Sequence, residues 1–312
     1  MATMMQIFAK EIAREAENNP SIIGLSADVK RSTGLGALAE KFPERYFEIG
    51  ISEQNMIGVA TGMALEGKTV VTSTYACFSP GRTWEQIRNC VCYQNADVKI
   101  IGAHIGVGSG RDGATHQCFE DIALMTVLPN IEVYSPATEE EVKLVAEISL
   151  RNKKPTYIRL SARMCGTSTE YKPNINGVAK LKEGKDFAII GTGSILSHAL
   201  IAVKDFEKQT GQSVAVYNVV KLNPLNTEEI KKYLSKHRAI ISIEEHQLNG
   251  GFGSAIASIV VEDKSMPPLH RIGANGLFGA SMDIDDLYSE LGLSSNDILN
   301  KLVEVADGRA KN

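Results

Sequence analysis

Three short loops carry the residues whose types and spacing suit chemistry. In the first, Gly50-Ile51-Ser52-Glu53-Gln54-Asn55-Met56, Glu53 sits where a candidate strand gives way to a candidate helix. A carboxylate there either caps the helix, whose N-terminal dipole favours negative charge, or aims a buried acid at a ligand nitrogen. The second, Tyr75-Ala76-Cys77-Phe78-Ser79-Pro80-Gly81, sets two rings three positions apart at a strand end. They either wall an aromatic slot or pack in the core. The third runs from His104 to Gln117 and gathers Gly106, Gly108, Gly110, Gly113, His104, His116, Arg111 and Asp112. Glycines let backbone approach a ligand closely, and histidine moves protons near neutral pH. Gly108, Gly110 and Gly113 match G-x-G-x-x-G, with Glu132 some twenty positions on. A dinucleotide is nevertheless a poor ligand, because Asp112 would face its pyrophosphate. His104 and His116 lack the additional ligands a metal site needs.

The elements that must position these loops follow from hydrophobic patterning. β-Branched runs at 22–29, 46–50, 69–75, 99–105, 131–135 and 155–160 read as strands. Between them lie amphipathic stretches such as 53–66, with Met56, Ile57, Ala60, Met63 and Ala64 at helical spacing. Another covers 137–151 and opens on Thr138 with Glu141 three positions later, a capping box. A loop-rich stretch, 163–186, interrupts the rhythm and is expected to connect two domains, with room for one short strand. Strands then resume at 187–191, 214–220, 239–245 and 269–273, with helices at 194–210, 227–234, 250–261 and 294–306. Alternation of this kind predicts an α/β protein of two domains, each a mostly parallel sheet covered by helices on both faces. The expected division is 1–165, a linker over 166–185, and 186–312. The last five residues read as a frayed tail.

The chain has 312 residues, 43% hydrophobic and 22% charged, with a net charge of −4. That composition is globular, and its acidity argues against nucleic-acid binding. No apolar run reaches the roughly 18 residues of a membrane helix, and the start lacks a secretory pattern. Five cysteines without a C-x-x-C motif fit neither a disulfide framework nor a zinc site. A reducing, cytoplasmic setting is expected.

With the loops in hand, the chain resembles the transketolase family of thiamine-diphosphate enzymes. Phe47-Glu48-Ile49-Gly50-Ile51-Ser52-Glu53-Gln54-Asn55-Met56 and Asp112-Gly113-Ala114-Thr115-His116-Gln117 carry the resemblance, with Tyr75 and Phe78 between them. Ser135-Pro136-Ala137-Thr138-Glu139-Glu140, Glu244-Glu245-His246 and Gly250-Gly251-Phe252-Gly253 extend it along nearly the whole chain. The resemblance implies a pyrimidine-binding domain followed by a transketolase C-terminal domain. It implies transfer of a two-carbon ketol unit from a ketose to an aldose. Glu53, buried without a cationic neighbour, would share a proton with N1′ of the cofactor's aminopyrimidine. Tyr75 and Phe78 would stack on that ring. Ser32, His104, Asp112 and His116 would meet the sugar, with His116 nearest the reacting carbon. The family's Gly-Asp-Gly, which with a later Asn holds the diphosphate and Mg²⁺, is missing. The resemblance therefore implies an amino-terminal partner subunit carrying the Mg²⁺ site, and an α2β2 heterotetramer with a self-dimer contact. A deoxyxylulose-phosphate-synthase-like half, a 2-oxo-acid dehydrogenase beta subunit and a non-catalytic regulatory subunit are the alternatives.

Departures from the family concern the far end of the sugar. Met4 and Ala162 stand where arginines would grip a phosphate, with Arg163 one step beyond. Arg31, Arg111 or Arg163 could compensate; otherwise the sugar carries another anion or none. Gly58 and Gly62 lie four apart and are expected at the dimer contact. Glu244, Glu245, His246, Asn275, Phe278 and Met282 are expected to make subunit contacts rather than do chemistry.

Overall fold

The computed structural model describes residues 2–167 and 171–309. Residues 168–170 of the expected connection and 310–312 of the expected tail lie outside the described residues. The first part of the chain supplies β1 (Ile22–Ser26), β2 (Tyr46–Glu48), β3 (Thr69–Tyr75), β4 (Val98–Ala103), β5 (Glu132–Tyr134) and β6 (Thr156–Leu160). The second part supplies β7 (Val178–Lys182), β8 (Phe187–Gly191), β9 (Val214–Val219), β10 (Lys221–Asn223), β11 (Ala239–Gln247) and β12 (Leu269–Ala274). They form a seven-stranded sheet in the order β10-β5-β6-β4-β3-β1-β2 and a five-stranded sheet in the order β12-β11-β8-β9-β7. Only β10 and β7, each at a sheet edge, pair antiparallel. All seven residues of β3 but the last are buried, as are all of β4, because helices cover both sheet faces.

Strand order decides where a ligand can sit. From β1 the chain passes to β2 on one side and returns to β3 on the other. That reversal opens a crevice at the carboxyl ends of β1 and β3, the usual ligand position in such sheets. The segments after β4, β3, β1 and β2 lie side by side there. These are the glycine-rich loop, the aromatic turn, the Ser32 segment and the Glu53–Leu65 helix.

Besides several short helices, among them Gly36–Lys41, Asp121–Thr126 and Ile284–Glu290, two larger features went unread in the sequence. Met4–Asn18 is a helix, capped by reciprocal hydrogen bonds between Thr3 and Gln6, that buries Met4, Ile7, Phe8 and Ile12. β10 comes from the second part of the chain yet extends the first sheet, pairing with β5. The short strand expected in the connection is β7, which edges the second sheet.

Buried polar groups fasten the two sheets together. The predicted capping box at Thr138 forms, and its Glu141 reaches further, accepting both Asn218 Nδ2 at 2.8 Å and the Tyr171 hydroxyl. One side chain thus starts a helix of the first domain and ties it to β9 of the second. Arg159 and Asp121, both fully buried, form a bidentate pair, with Arg159 also donating to the Glu245 carbonyl at 3.2 Å.

Candidate active site

Glu53 opens its helix immediately after β2 and is only 3% exposed. One carboxylate oxygen, Oε2, accepts Arg82 Nη1 at 2.8 Å. The other has no hydrogen-bond partner among the described residues. The expectation of a buried acid without a cationic neighbour is corrected here. Burial strips the carboxylate of water, and a guanidinium on the next loop compensates it.

The aromatic turn after β3 supplies that guanidinium and the ring walls. Gly81 closes the turn; a side chain there would place Cβ 2.2 Å from the Cys77 carbonyl, so no other residue fits. Tyr75 and Phe78 lie 6.0 Å apart, and the Arg82 guanidinium lies 4.5 Å from the centre of the Phe78 ring. His116 stands edge-on to both rings, 5.7 Å from Tyr75 and 5.2 Å from Phe78. Its Nδ1 lies 3.0 Å from Thr115 Oγ1, which leaves Nε2 facing away from that partner and available.

His104 has a different place from the other imidazole. Its ring stacks on Tyr75 at 4.6 Å, and its two nitrogens face the carbonyls of Gly108 and Ser32 at 3.3 and 3.1 Å. It therefore pins the glycine-rich loop to the Ser32 segment. Its φ of +55° is the left-handed backbone that a non-glycine residue adopts at some cost, a strain common at functional loops. Asp112 and Ser32 both bear on the Tyr75 hydroxyl. Burial first, then the Asp112 charge, push that phenol above its ordinary range. Glu53, Arg82, Phe78, His116, Tyr75, His104 and Ser32 thus form one continuous cluster, with Asp112 nearby on the glycine-rich loop.

Arg163 is not part of that cluster. Its guanidinium pairs with Asp285 at 2.6 Å and lies over Tyr288. Arg111 is likewise held, by a two-pronged pair with Asp283 at 2.8 and 2.9 Å. Met4 is fully buried, its thioether accepting the Ser161 N–H at 3.4 Å, and Ala162 packs on the same apolar cluster.

The second domain reaches over the glycine-rich loop. Gln117 Nε2 donates to the Ala280 carbonyl at 2.9 Å, and the Ser281 hydroxyl donates to the Arg111 carbonyl. Glu244, Glu245 and His246 are all buried inside the chain, which corrects their expected role as subunit contacts. Glu245 binds the glycine-rich loop, whereas Glu244 accepts the backbone N–H groups of Phe252 and Gly253 at the start of the Phe252–Glu262 helix. Met282 is half-buried against the second core, whereas Phe278 remains exposed. Arg82, Glu245 and the 280–283 segment are site residues that the sequence reading missed. Only Arg82 left a signal, as a basic residue directly after a Pro-Gly turn at the same sheet edge as Glu53.

Chemically, the cluster offers one free oxygen of a buried carboxylate, a flanking ring wall and an available imidazole nitrogen. Those groups fit a flat, nitrogen-bearing heterocycle. They do not fit its diphosphate: among the described residues no group of three or more His, Cys, Asp or Glu side chains could hold a metal ion.

Comparison with known proteins points to one family. A protein of Methanocaldococcus jannaschii with the provisional name transketolase C-terminal section is 37% identical over 298 residues, covering 94% of this chain and 92% of its own. The 6-deoxy-6-sulfo-D-fructose transketolase subunit of a Clostridium species is 29% identical, covering 94% and 91%. A solved split-gene transketolase, described as an inactive beta4 tetramer, superposes with a TM-score of 0.86 at 33% identity, covering 97% and 98%. The transketolase pyrimidine-binding domain profile matches residues 1–166 and the transketolase C-terminal domain profile matches 177–298, so this chain belongs to the transketolase family.

Proposed function

We propose that this chain is the C-terminal subunit of a two-subunit transketolase, active only when an amino-terminal subunit supplies the diphosphate and Mg²⁺ site. Residues 1–165 would hold the aminopyrimidine end of thiamine diphosphate, with a linker over 166–185 and the C-terminal domain over 186–312. The observation that carries this reading is the free oxygen of buried Glu53, whose other oxygen is held by Arg82 over the Phe78 ring. Thiamine diphosphate, when bound, supplies the electron sink for breaking a carbon–carbon bond in a ketose. Glu53 holds the proton shared with N1′. Phe78 walls the ring, and Tyr75 joins it while presenting its hydroxyl towards the sugar. His116 Nε2 donates to or accepts from the oxygen beside the reacting carbon. Asp112 and Ser32 orient sugar hydroxyls, and His104 fixes the loop that carries them. The five free cysteines suit a cytoplasmic setting.

The far end of the sugar meets an unusual wall. Arg111 and Arg163 are engaged by Asp283 and Asp285, and neither Met4, buried in the core, nor Ala162 supplies a charge. Neither arrangement offers the free arginine fork that suits phosphate. Of the three arginines that could compensate, exposed Arg31 beside Ser32 makes no ion pair among the described residues, so an anion at the far end of the sugar would fall to it.

The direct test mixes the chain with its amino-terminal subunit, thiamine diphosphate, Mg²⁺, a ketose and an aldose. Ketol transfer is expected only from the complete mixture. Turnover by this chain without the partner would overturn the proposal.

A further inference from the structure

The side chain that the sequence reading did not anticipate joins the two groups assigned to the pyrimidine. Arg82 Nη1 donates to Glu53 Oε2 at 2.8 Å, while the central carbon of the same guanidinium lies over the Phe78 ring, 4.5 Å from its centre. Its backbone is tied to the same helix start: Gln54 Nε2 donates to the Arg82 carbonyl at 3.3 Å. Consecutive residues 53 and 54 therefore grip the side chain and the backbone of Arg82. Gly81, which admits no side chain, fixes where the arginine leaves the turn.

We propose that Arg82 is a positioning residue that presets the aminopyrimidine slot, holding the proton-sharing carboxylate and the ring wall in one rigid unit. The proposal rests on the reading of the site as a thiamine-diphosphate pocket. Its physical logic is geometric. Glu53 is 3% exposed, so its carboxylate depends on a charged donor, whereas the Arg82 side chain is 48% exposed and keeps its charge partly in water. Pairing at one oxygen sets the carboxylate's rotation, which leaves the other oxygen to meet the ring nitrogen. The same charge over its ring holds Phe78 in place. An arginine can do both at once because its guanidinium is planar with donors around its edge; lysine keeps the charge and loses the plane. Preset geometry of this kind improves binding by reducing the ordering cost at the moment the ligand arrives.

The test uses the assembled two-subunit enzyme. Thiamine-diphosphate affinity is measured by calorimetry in the presence of Mg²⁺, alongside kcat and the ketose KM. Arg82→Gln is expected to weaken cofactor binding by about tenfold or more, the worth of one charge-assisted hydrogen bond. It should lower kcat and leave the ketose KM within about twofold, since Arg82 lies on the cofactor side of the rings. Arg82→Lys should recover part of the affinity. In a double-mutant cycle, Glu53→Gln with Arg82→Gln should bind the cofactor no more weakly than Glu53→Gln alone. Circular dichroism of each variant checks folding, and a purely structural role would leave cofactor affinity and the lysine rescue unmoved. Wild-type affinity and kcat in Arg82→Gln, or full additivity in the cycle, would overturn the proposal. Failure of the underlying reading shows differently: Glu53→Gln itself would then turn over at the wild-type rate.

Discussion

The Glu245 carboxylate, at the end of β11 in the second domain, accepts the backbone N–H of Val107 in the first domain's glycine-rich loop at 3.0 Å. Its other oxygen accepts the Ser194 hydroxyl at 3.0 Å. Gly106, at φ +55°, makes this possible, because a Cβ there would lie 2.3 Å from the Glu245 side chain. The loop that carries Asp112 and His116 is thus shaped partly by a residue 138 positions away.

Glu245→Ala should therefore affect both stability and the site. Removing one member of a buried, charged network leaves its partners unpaired and costs about 3 kcal/mol. The midpoint of urea unfolding should fall accordingly. Sugar KM in the assembled enzyme should rise, because Val107 loses its anchor. An unchanged midpoint would show that the network carries no weight.

Glu244 gives a pH prediction. Burial pushes its carboxyl from 4.5 up to about 7, although the N–H groups of Phe252 and Gly253 pull the other way. Between about pH 4.5 and 7 the folded chain holds a proton that the unfolded chain releases. Stability from this group is therefore complete below pH 4.5 and declines as pH rises through 7, by up to about 3 kcal/mol. Glu244→Gln should remove that slope. Urea midpoints of wild type and variant, compared from pH 5 to 8, should diverge in the variant's favour up to about pH 7 and then level off. A constant difference would contradict this.

How far the sequence could be read depends on the range of the interactions. Strand 69–75 and helix 227–234 were legible to the residue, since β-branched runs and apolar spacing are local signals. The Thr138–Glu141 capping box was legible for the same reason, but the grip of Glu141 on Asn218 was not. Met4–Asn18 carries local signals too, in its Thr3–Gln6 cap and its apolar positions 4, 8 and 12. The three residues of β10 are too few to show any period. At the site, glycine density and paired aromatics marked the loops. The Glu53–Arg82 and Glu245–Val107 bonds join residues 29 and 138 apart and exist only once the sheets are packed.

His116 should matter more to rate than to binding. Its Nε2 is the imidazole nitrogen that remains available among the ring walls, while both nitrogens of His104 face carbonyls. His116→Ala should lower kcat of the assembled enzyme about 10²-fold, the usual scale for a lost proton-transfer group. A change confined to KM would make it a binding residue instead.

Substrate preference follows from the engaged arginines. With Arg111 and Arg163 paired to Asp283 and Asp285, only Arg31 is left unpaired among the three candidates, and kcat/KM for a ketose phosphate should exceed that for the sulfonated or unphosphorylated ketose by no more than one exposed charge provides. Asp285→Asn should free Arg163 and raise the phosphate value severalfold, because a released guanidinium can fork onto phosphate. A strong preference of the wild-type enzyme for the phosphate would refute this account of the sugar's far end.

The Glu53–Leu65 helix carries the prediction about assembly. Gly58 and Gly62 are exposed on it, and a Cβ at either meets nothing within 4 Å. Leu65 and Ile51, both exposed and apolar, flank the same element. Glycine weakens a solvent-facing helix by about 1 kcal/mol relative to alanine, so an exposed pair is costly unless another backbone approaches closely. Gly62→Leu should therefore fold normally and melt no lower than wild type, since leucine favours the helix and finds open space. The same side chain should block a second copy from approaching, shifting sedimentation towards smaller species. A variant that melts as expected and sediments like wild type would remove this face from the self-dimer contact.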